Sequence, residues 1–216
     1  MKRLLVLTIF LSLGCRSSVK GNEGNFRFSY WSGDWTSEFN RPVAVGASLD
    51  LAVRGTGAIN SVDLTAASFA DASVFEVTSF SGEDVTIRGT GEGSALLKVE
   101  GVLKGETLTD SVDMEAKTPD ILKINHTCTD ESDAAYLTDH EVLIGFEMTT
   151  SDEEALIGYG YYPVELTALD ADIAEENTSQ SWITVNTGTS AEPNLLLQST
   201  IDASSLTLYI YEAGSI

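Results

Sequence analysis

The chain is poor in cysteine, proline and histidine, with 2 Cys, 4 Pro and 2 His in 216 residues, and its second half has almost no positive charge. So few cysteines exclude a disulfide framework as the basis of the fold. His126 and His140 stand in no ligand spacing such as His-Glu-x-x-His, so a catalytic zinc site has no candidate set. Both are read as loop or strand-end residues. No Gly-x-Ser-x-Gly elbow occurs, and nothing singles out one serine, or one pair among the 33 acids, as catalytic. Gly89-Thr90-Gly91-Glu92-Gly93 leads into strand-like sequence and lacks the lysine and helix of a phosphate loop. No enzyme and no required cofactor are expected. No window sustains an apolar pattern at helical spacing, and residues 134–137 offer one helical turn at most. From Thr118 onward, 18 acidic residues stand against one basic residue, Lys123. That surface repels phosphates and excludes nucleic acid as a partner.

What is present is a rhythm of short segments in which apolar and polar residues alternate, the period of a sheet with one buried face. In the first half these segments are 26–30, 49–53, 62–64, 74–77, 85–87, 95–99 and 112–114. Glycines such as Gly82, Gly89, Gly91, Gly93, Gly101 and Gly105 punctuate them at hairpin-like intervals. At Thr118-Pro119-Asp120 the alternation pauses and the charge character changes, which marks a domain junction. The rhythm then resumes over 121–124, 142–146, 156–162, 164–166, 182–185, 195–197 and 206–211. Seven or so short strands in each half predict an all-β chain of two tandem antiparallel β-sandwiches, although the halves share no close sequence repeat.

The N-terminus has its own pattern. Lys2 and Arg3 precede an apolar run from Leu4 to Leu13, then Gly14 and Cys15. The run is too short for a membrane span and fits a secretory signal peptide. Leu11-Ser12-Leu13-Gly14-Cys15 resembles the lipobox of bacterial lipoproteins, with Ser12 where that family favours leucine. The resemblance implies cleavage after residue 14 and lipidation of Cys15. It also implies outer-membrane delivery, since Arg16 follows the cysteine and not the aspartate that signals retention at the inner membrane. The domain reading is then a signal peptide at 1–14, the lipidated cysteine and a polar tether at 15–24, a first sandwich at 25–117 and a second, acidic sandwich at 118–216. Cleavage leaves 10 basic and 33 acidic residues, a formal −23. Cys128 then has no intrachain partner, and is read either as a buried small residue or as one half of an intermolecular bridge.

Residues 42–116 resemble the bacterial immunoglobulin-like domains of adhesins and large secreted proteins. The resemblance rests on Val43-Ala44-Val45-Gly46-Ala47-Ser48-Leu49, on the serine-containing stretch at 67–77 that ends in Val77, and on the glycine-rich turn and strand at 85–99. The tryptophan that the family often places before the serine stretch is replaced here by Ala66 and Ala67. The resemblance implies an immunoglobulin-like sandwich outside the cytoplasm with Val74 and Val77 facing its core, and it brings no catalytic residues.

Two weak chemical signals remain. Calcium takes six to eight oxygen ligands, which acidic loops can supply. Asp170 and Asp172 with Glu175 and Glu176 form the most ligand-like cluster, read as alternating carboxylates in an extended loop; the plainer reading is a solvated acidic surface. The aromatics Trp31, Trp35, Tyr159, Tyr161 and Tyr162 could contact a glycan or protein ligand, or could pack into the sandwiches. The expected molecule is a lipid-anchored cell-envelope protein. It would act as a surface interaction or adhesion module for a protein or glycan; the alternative is a periplasm-facing lipoprotein scaffolding an envelope complex. Membrane contact would come through the N-terminal lipid.

Overall fold

Alternation becomes strand structure wherever one face can be buried. In Ser48–Gly55 the side chains of Leu49, Leu51 and Val53 are fully buried, while Ser48, Asp50 and Arg54 stay partly exposed on the other face. The computed structural model describes residues 18–30, 39, 41–57, 61–126, 135–176, 182–191 and 195–212. Among these there are strands, turns and loops but no helix.

The first half contributes β1 (Ser18–Lys20), β2 (Phe26–Tyr30), β3 (Val43–Ala44), β4 (Ser48–Gly55), β5 (Asp63–Phe69), β6 (Phe75–Ser81), β7 (Asp84–Gly89), β8 (Gly93–Leu103) and β9 (Glu106–Lys117). They form a five-stranded sheet in the order β1-β2-β4-β7-β6 and a four-stranded sheet in the order β3-β9-β8-β5. Both sheets send side chains into one core, with Phe26, Phe28, Leu49, Leu51, Val85 and Ile87 from the first meeting Leu64, Leu97, Val99, Val112 and Met114 from the second.

The second half contributes β10 (Ile121–His126), β11 (Ala135–Leu137), β12 (Glu141–Thr149), β13 (Val164–Thr167), β14 (Asp172–Glu176), β15 (Trp182–Asn186), β16 (Leu195–Ser199) and β17 (Ser205–Tyr211). Their sheets run β10-β12-β15-β14 and β11-β17-β16-β13. Shifting every number by eight turns the first pair of strand orders into the second, β1 excepted. In each half a short strand pairs parallel with the last one, β3 with β9 and β11 with β17, while the other pairings are antiparallel. With β1 and the short strands β3 and β11 set aside, each half has one sheet of its first, second, fifth and fourth strands facing a sheet of its third, sixth and seventh, the immunoglobulin arrangement. The chain is therefore two tandem immunoglobulin-like sandwiches, an internal repeat of structure without a close repeat of sequence.

Several expectations are corrected. The N-terminal tether is not free along its whole length: Ser18–Lys20 pairs antiparallel with β2, Ser18 opposite Ser29 and Lys20 opposite Arg27. All three residues are exposed, so no burial pattern marked them in the sequence. The glycine-rich 89–93 stretch is not a hairpin. It joins β7 in one sheet to β8 in the other, and a Cβ on Gly91 would come within 2.5 Å of the Ser73 carbonyl oxygen. The two-residue β8–β9 turn falls instead at Lys104 and Gly105, both at positive φ, as a primed hairpin turn requires. Residues 135–137 are strand β11 and not a helical turn, and the serine-containing stretch begins inside β5. Val74 is buried as expected, but Phe75 fills the core more fully than the half-buried Val77.

Candidate functional site

The most elaborate constellation lies between the sandwiches. After β12 the chain does not continue as a strand of its own sheet, as the alternation at 156–162 suggested. It lies instead against the β3–β4 corner of the first sandwich. Val43 bridges to Ile157 in parallel and Ser48 to Tyr159 antiparallel. Four backbone hydrogen bonds cross the junction: Ala44 N–H to Ile157 O at 2.9 Å, Ile157 N–H to Pro42 O at 3.0 Å, Ser48 N–H to Tyr159 O at 2.8 Å and Tyr159 N–H to Ser48 O at 2.9 Å.

Small residues permit this approach. Ala44 and Ala47 belong to the first sandwich by sequence, yet both are fully buried in the core of the second, and Ile157 packs into the core of the first. Gly158 adopts a φ of +131°, and a Cβ there would lie 2.6 Å from that of Ala47. Across the corner, Gly46 sits at φ +95° with the Tyr161 ring where its own Cβ would be. Polar contacts frame the apolar ones. The Tyr159 hydroxyl donates to Asp50 Oδ1 at 2.8 Å, and Lys117 Nζ reaches Glu154 Oε2 at 2.6 Å. Burial, followed by the hydrogen bond to Asp50 and the Asp50 charge, raises the Tyr159 phenol above its ordinary range.

This arrangement assigns the tyrosines proposed for ligand contact. Tyr159 and Tyr161 serve the junction, and Tyr162 packs against the second core with its ring 5.5 Å from that of Phe146. All three are half-buried. Trp31 and Trp35 lie outside the described residues, as do Cys15 and Cys128.

The proposed calcium loop is a different object. Asp172, Glu175 and Glu176 fall in β14, an edge strand paired with β15, and the side chains of Glu175 and Glu176 lie outside the described residues. Carboxylates on an edge discourage pairing with other chains, and the sequence alone does not separate that pattern from a ligand loop. Asp170 is already engaged: its Oδ2 accepts hydrogen bonds from Thr189 N–H at 2.9 Å, Thr189 Oγ1 at 2.8 Å and Ser190 N–H at 3.0 Å. The Thr189 bonds lead in holding its pKa below the ordinary value. Among the described residues no three His, Cys, Asp or Glu side chains gather where a metal ion could sit. His140 Nδ1 lies 2.7 Å from the Thr138 carbonyl oxygen in a surface turn, and the His126 side chain lies outside the described residues.

A second constellation escaped the sequence reading. Asp110, in the middle of β9, is only 2% exposed. Its Oδ1 accepts from Glu23 N–H at 2.9 Å and Ser111 N–H at 2.8 Å, and its Oδ2 from Phe26 N–H at 2.6 Å. Burial raises this carboxyl, and hydrogen bonds from Glu23, Phe26 and Ser111 outweigh it, so the net direction is downward. A Cβ on Gly21 would fall on the Asp110 carboxylate, so only glycine lets the chain pass so close. Asp110 thus clamps residues 21–26, the turn that joins β1 to β2. The only sequence signal was an aspartate in a strand, which 33 acids conceal.

The fold defines the chain as a tandem immunoglobulin-like β-sandwich protein. No family profile matches it, and no curated protein matches its sequence. Among solved structures it is similar to domains 5–6 of the S-layer protein SbsC, with a TM-score of 0.36 and 11% identity over 82% of this chain and 95% of that one. It is also similar to fibronectin(III)-like modules of Clostridium thermocellum CbhA, at 0.29 and 13% over 88% and 96%. A third similarity is to the Escherichia coli adhesin FdeC, at 0.33 and 12% over 90% and 66%. Similarity at this level assigns neither a family nor a function.

Proposed function

We propose that the chain is a lipid-anchored cell-envelope protein that presents two fixed immunoglobulin-like sandwiches as an interaction or adhesion module, and that it is not an enzyme. The observation that carries the reading is the junction. A segment of the second sandwich is hydrogen-bonded into the first and shares its core, so loops and sheet faces are held in one fixed relation. A binding surface gains from such preorganisation, since ordering costs are met on folding and not on binding. The lipobox at Cys15 supports anchoring.

The acidity of the second sandwich favours an alternative partner arrangement: a periplasm-facing scaffold in which that sandwich meets a basic protein. Protease shaving of intact cells, followed through a C-terminal tag, separates the two. Loss of the tag from intact cells supports surface display and adhesion. Survival until lysis overturns display and favours the scaffold. Calcium is tested by melting with and without chelator: an occupied site would add about 2.7 kcal/mol at a hundredfold excess over its dissociation constant, and an unchanged midpoint removes it.

A further inference from the structure

We infer that the outer face of the first sheet, at its β1–β2–β4 edge, docks onto the anionic headgroup layer of the membrane that holds the chain. This rests on the reading of Cys15 as the lipid-bearing residue. Three cations stand in one cross-strand row: Lys20 in β1 is directly opposite Arg27 in β2, and Arg27 is directly opposite Arg54 in β4. Directly opposed residues share a sheet face, and like charges so placed repel. In a chain of formal charge −21 this row is the reverse of what composition would scatter at random. Arg54 is neutralised by Glu83 at 3.0 Å, and Asp84 stands on the same face opposite Ala52. Lys20 and Arg27 make no ion pair among the described residues. The Arg27 guanidinium reaches only the Ser18 hydroxyl, at 3.4 Å, and both side chains are exposed.

Position supplies the occupant. Only residues 16 and 17 separate Cys15 from Ser18, so a lipid on that cysteine lies within about 11 Å of β1, too short a span for the sandwich to stand clear of the headgroups. Arg16 adds a further cation to that span. The Asp110 clamp fixes the adjoining loop, and β1 itself is held by its antiparallel pairing with β2. The charges are also arranged along the molecule. Arg54 is the last residue but one of β4, and Ser48, which touches the second sandwich, opens the other end, about 20 Å away. Anionic headgroups attract the cationic row and repel the acidic second sandwich, and both effects point that sandwich away from the membrane.

The test uses the full lipidated chain in vesicles of phosphatidylcholine alone and of phosphatidylcholine with phosphatidylglycerol. Acetylation of individual lysines is followed by mass spectrometry, and the mass of the N-terminal peptide reports the lipid on Cys15. Lys20 should react about fivefold more slowly on the anionic vesicles, with Lys98 and Lys123 unchanged. The protection should vanish in high salt and weaken in Arg27→Gln, whose site is exposed and leaves the fold intact. Equal Lys20 rates on both vesicles, with lipid present on Cys15, overturn this inference alone. An unmodified Cys15 overturns it together with the anchoring reading.

Discussion

The two sandwiches share one strand order but differ in how they are completed. The first is built on long strands, with β8 and β9 spanning 11 and 12 residues, and its core holds three fully buried phenylalanines, Phe26, Phe28 and Phe75. In the second the matching strands β16 and β17 span only 5 and 7 residues, the largest fully buried side chains are leucine and isoleucine, and the core is closed by Ala44 and Ala47 from its neighbour. The second also carries most of the net negative charge, with 18 acidic residues against one basic from residue 118 onward. Among the described residues the first core takes in only Ile157 from its neighbour, so it should depend less on the junction than the second does. A common topology therefore does not imply equal independence, and the junction is where the difference is made up.

Breaking the junction should have the largest effect. Gly158→Val forces a β-branched side chain into positive φ and against Ala47. It should cost about 3 kcal/mol or more and turn a single melting transition into two, the second sandwich melting first. Expressed alone, residues 121–212 should melt well below their transition in the full chain, whereas residues 18–120 should lose little; calorimetry of the three proteins checks this. Asp110→Ala should destabilise the first sandwich by about 2–3 kcal/mol, since the amides of Glu23 and Phe26 lose their buried acceptor, and hydrogen exchange should rise over residues 18–26. Tyr159→Phe, which removes one partly buried hydrogen bond to a carboxylate, should cost about 1–2 kcal/mol without splitting the transition.

The smallest effects sharpen the electrostatic contrast. Burial raises the Asp202 carboxyl, but hydrogen bonds from Ser199, Leu122 and Ser204 hold it at about 2. Because the folded value is depressed, its contribution is complete above the ordinary carboxyl value and is lost as pH falls from there towards about 2. Asp110 gives the first sandwich a dependence of the same sign. Acid melting curves should therefore fall only below about pH 4. Salt acts on the difference in charge: raising it from about 0.02 to about 0.5 M should lift the melting point of residues 121–212 expressed alone more than that of residues 18–120 expressed alone.

Most of the strands were legible in the sequence, because a strand with one buried face writes its alternation into the chain. Leu49-Asp50-Leu51 is read directly, Val142-Leu143-Ile144 is read only as an apolar run whose middle residue the fold exposes, and the pause at residues 118–120 is where β9 hands over to β10. The strands that escaped lack that signature. β1 is exposed throughout, β11 is three residues long, and the charges of β14 reflect an edge. The segment at 156–162 shows how alternation misleads. Its apolar residues face a buried surface as expected, but that surface belongs partly to the other sandwich. Periodicity reports burial without naming the partner. The candidate site was less legible still, since Asp110 and Tyr159 acquire their roles from residues 84 and 109 positions away in sequence, and no local pattern encodes such pairs.

The sandwiches form one unit through the hydrogen-bonded segment after β12. Amide hydrogen exchange at Ala44, Ser48, Ile157 and Tyr159 in the intact chain tests it most directly, because those four N–H groups donate across the junction. Protection comparable to that of the core strands β4 and β12 is expected. Exchange at the rate of open loops, with β4 and β12 still protected, would mean that the sandwiches are separate bodies on a linker and would contradict the single unit.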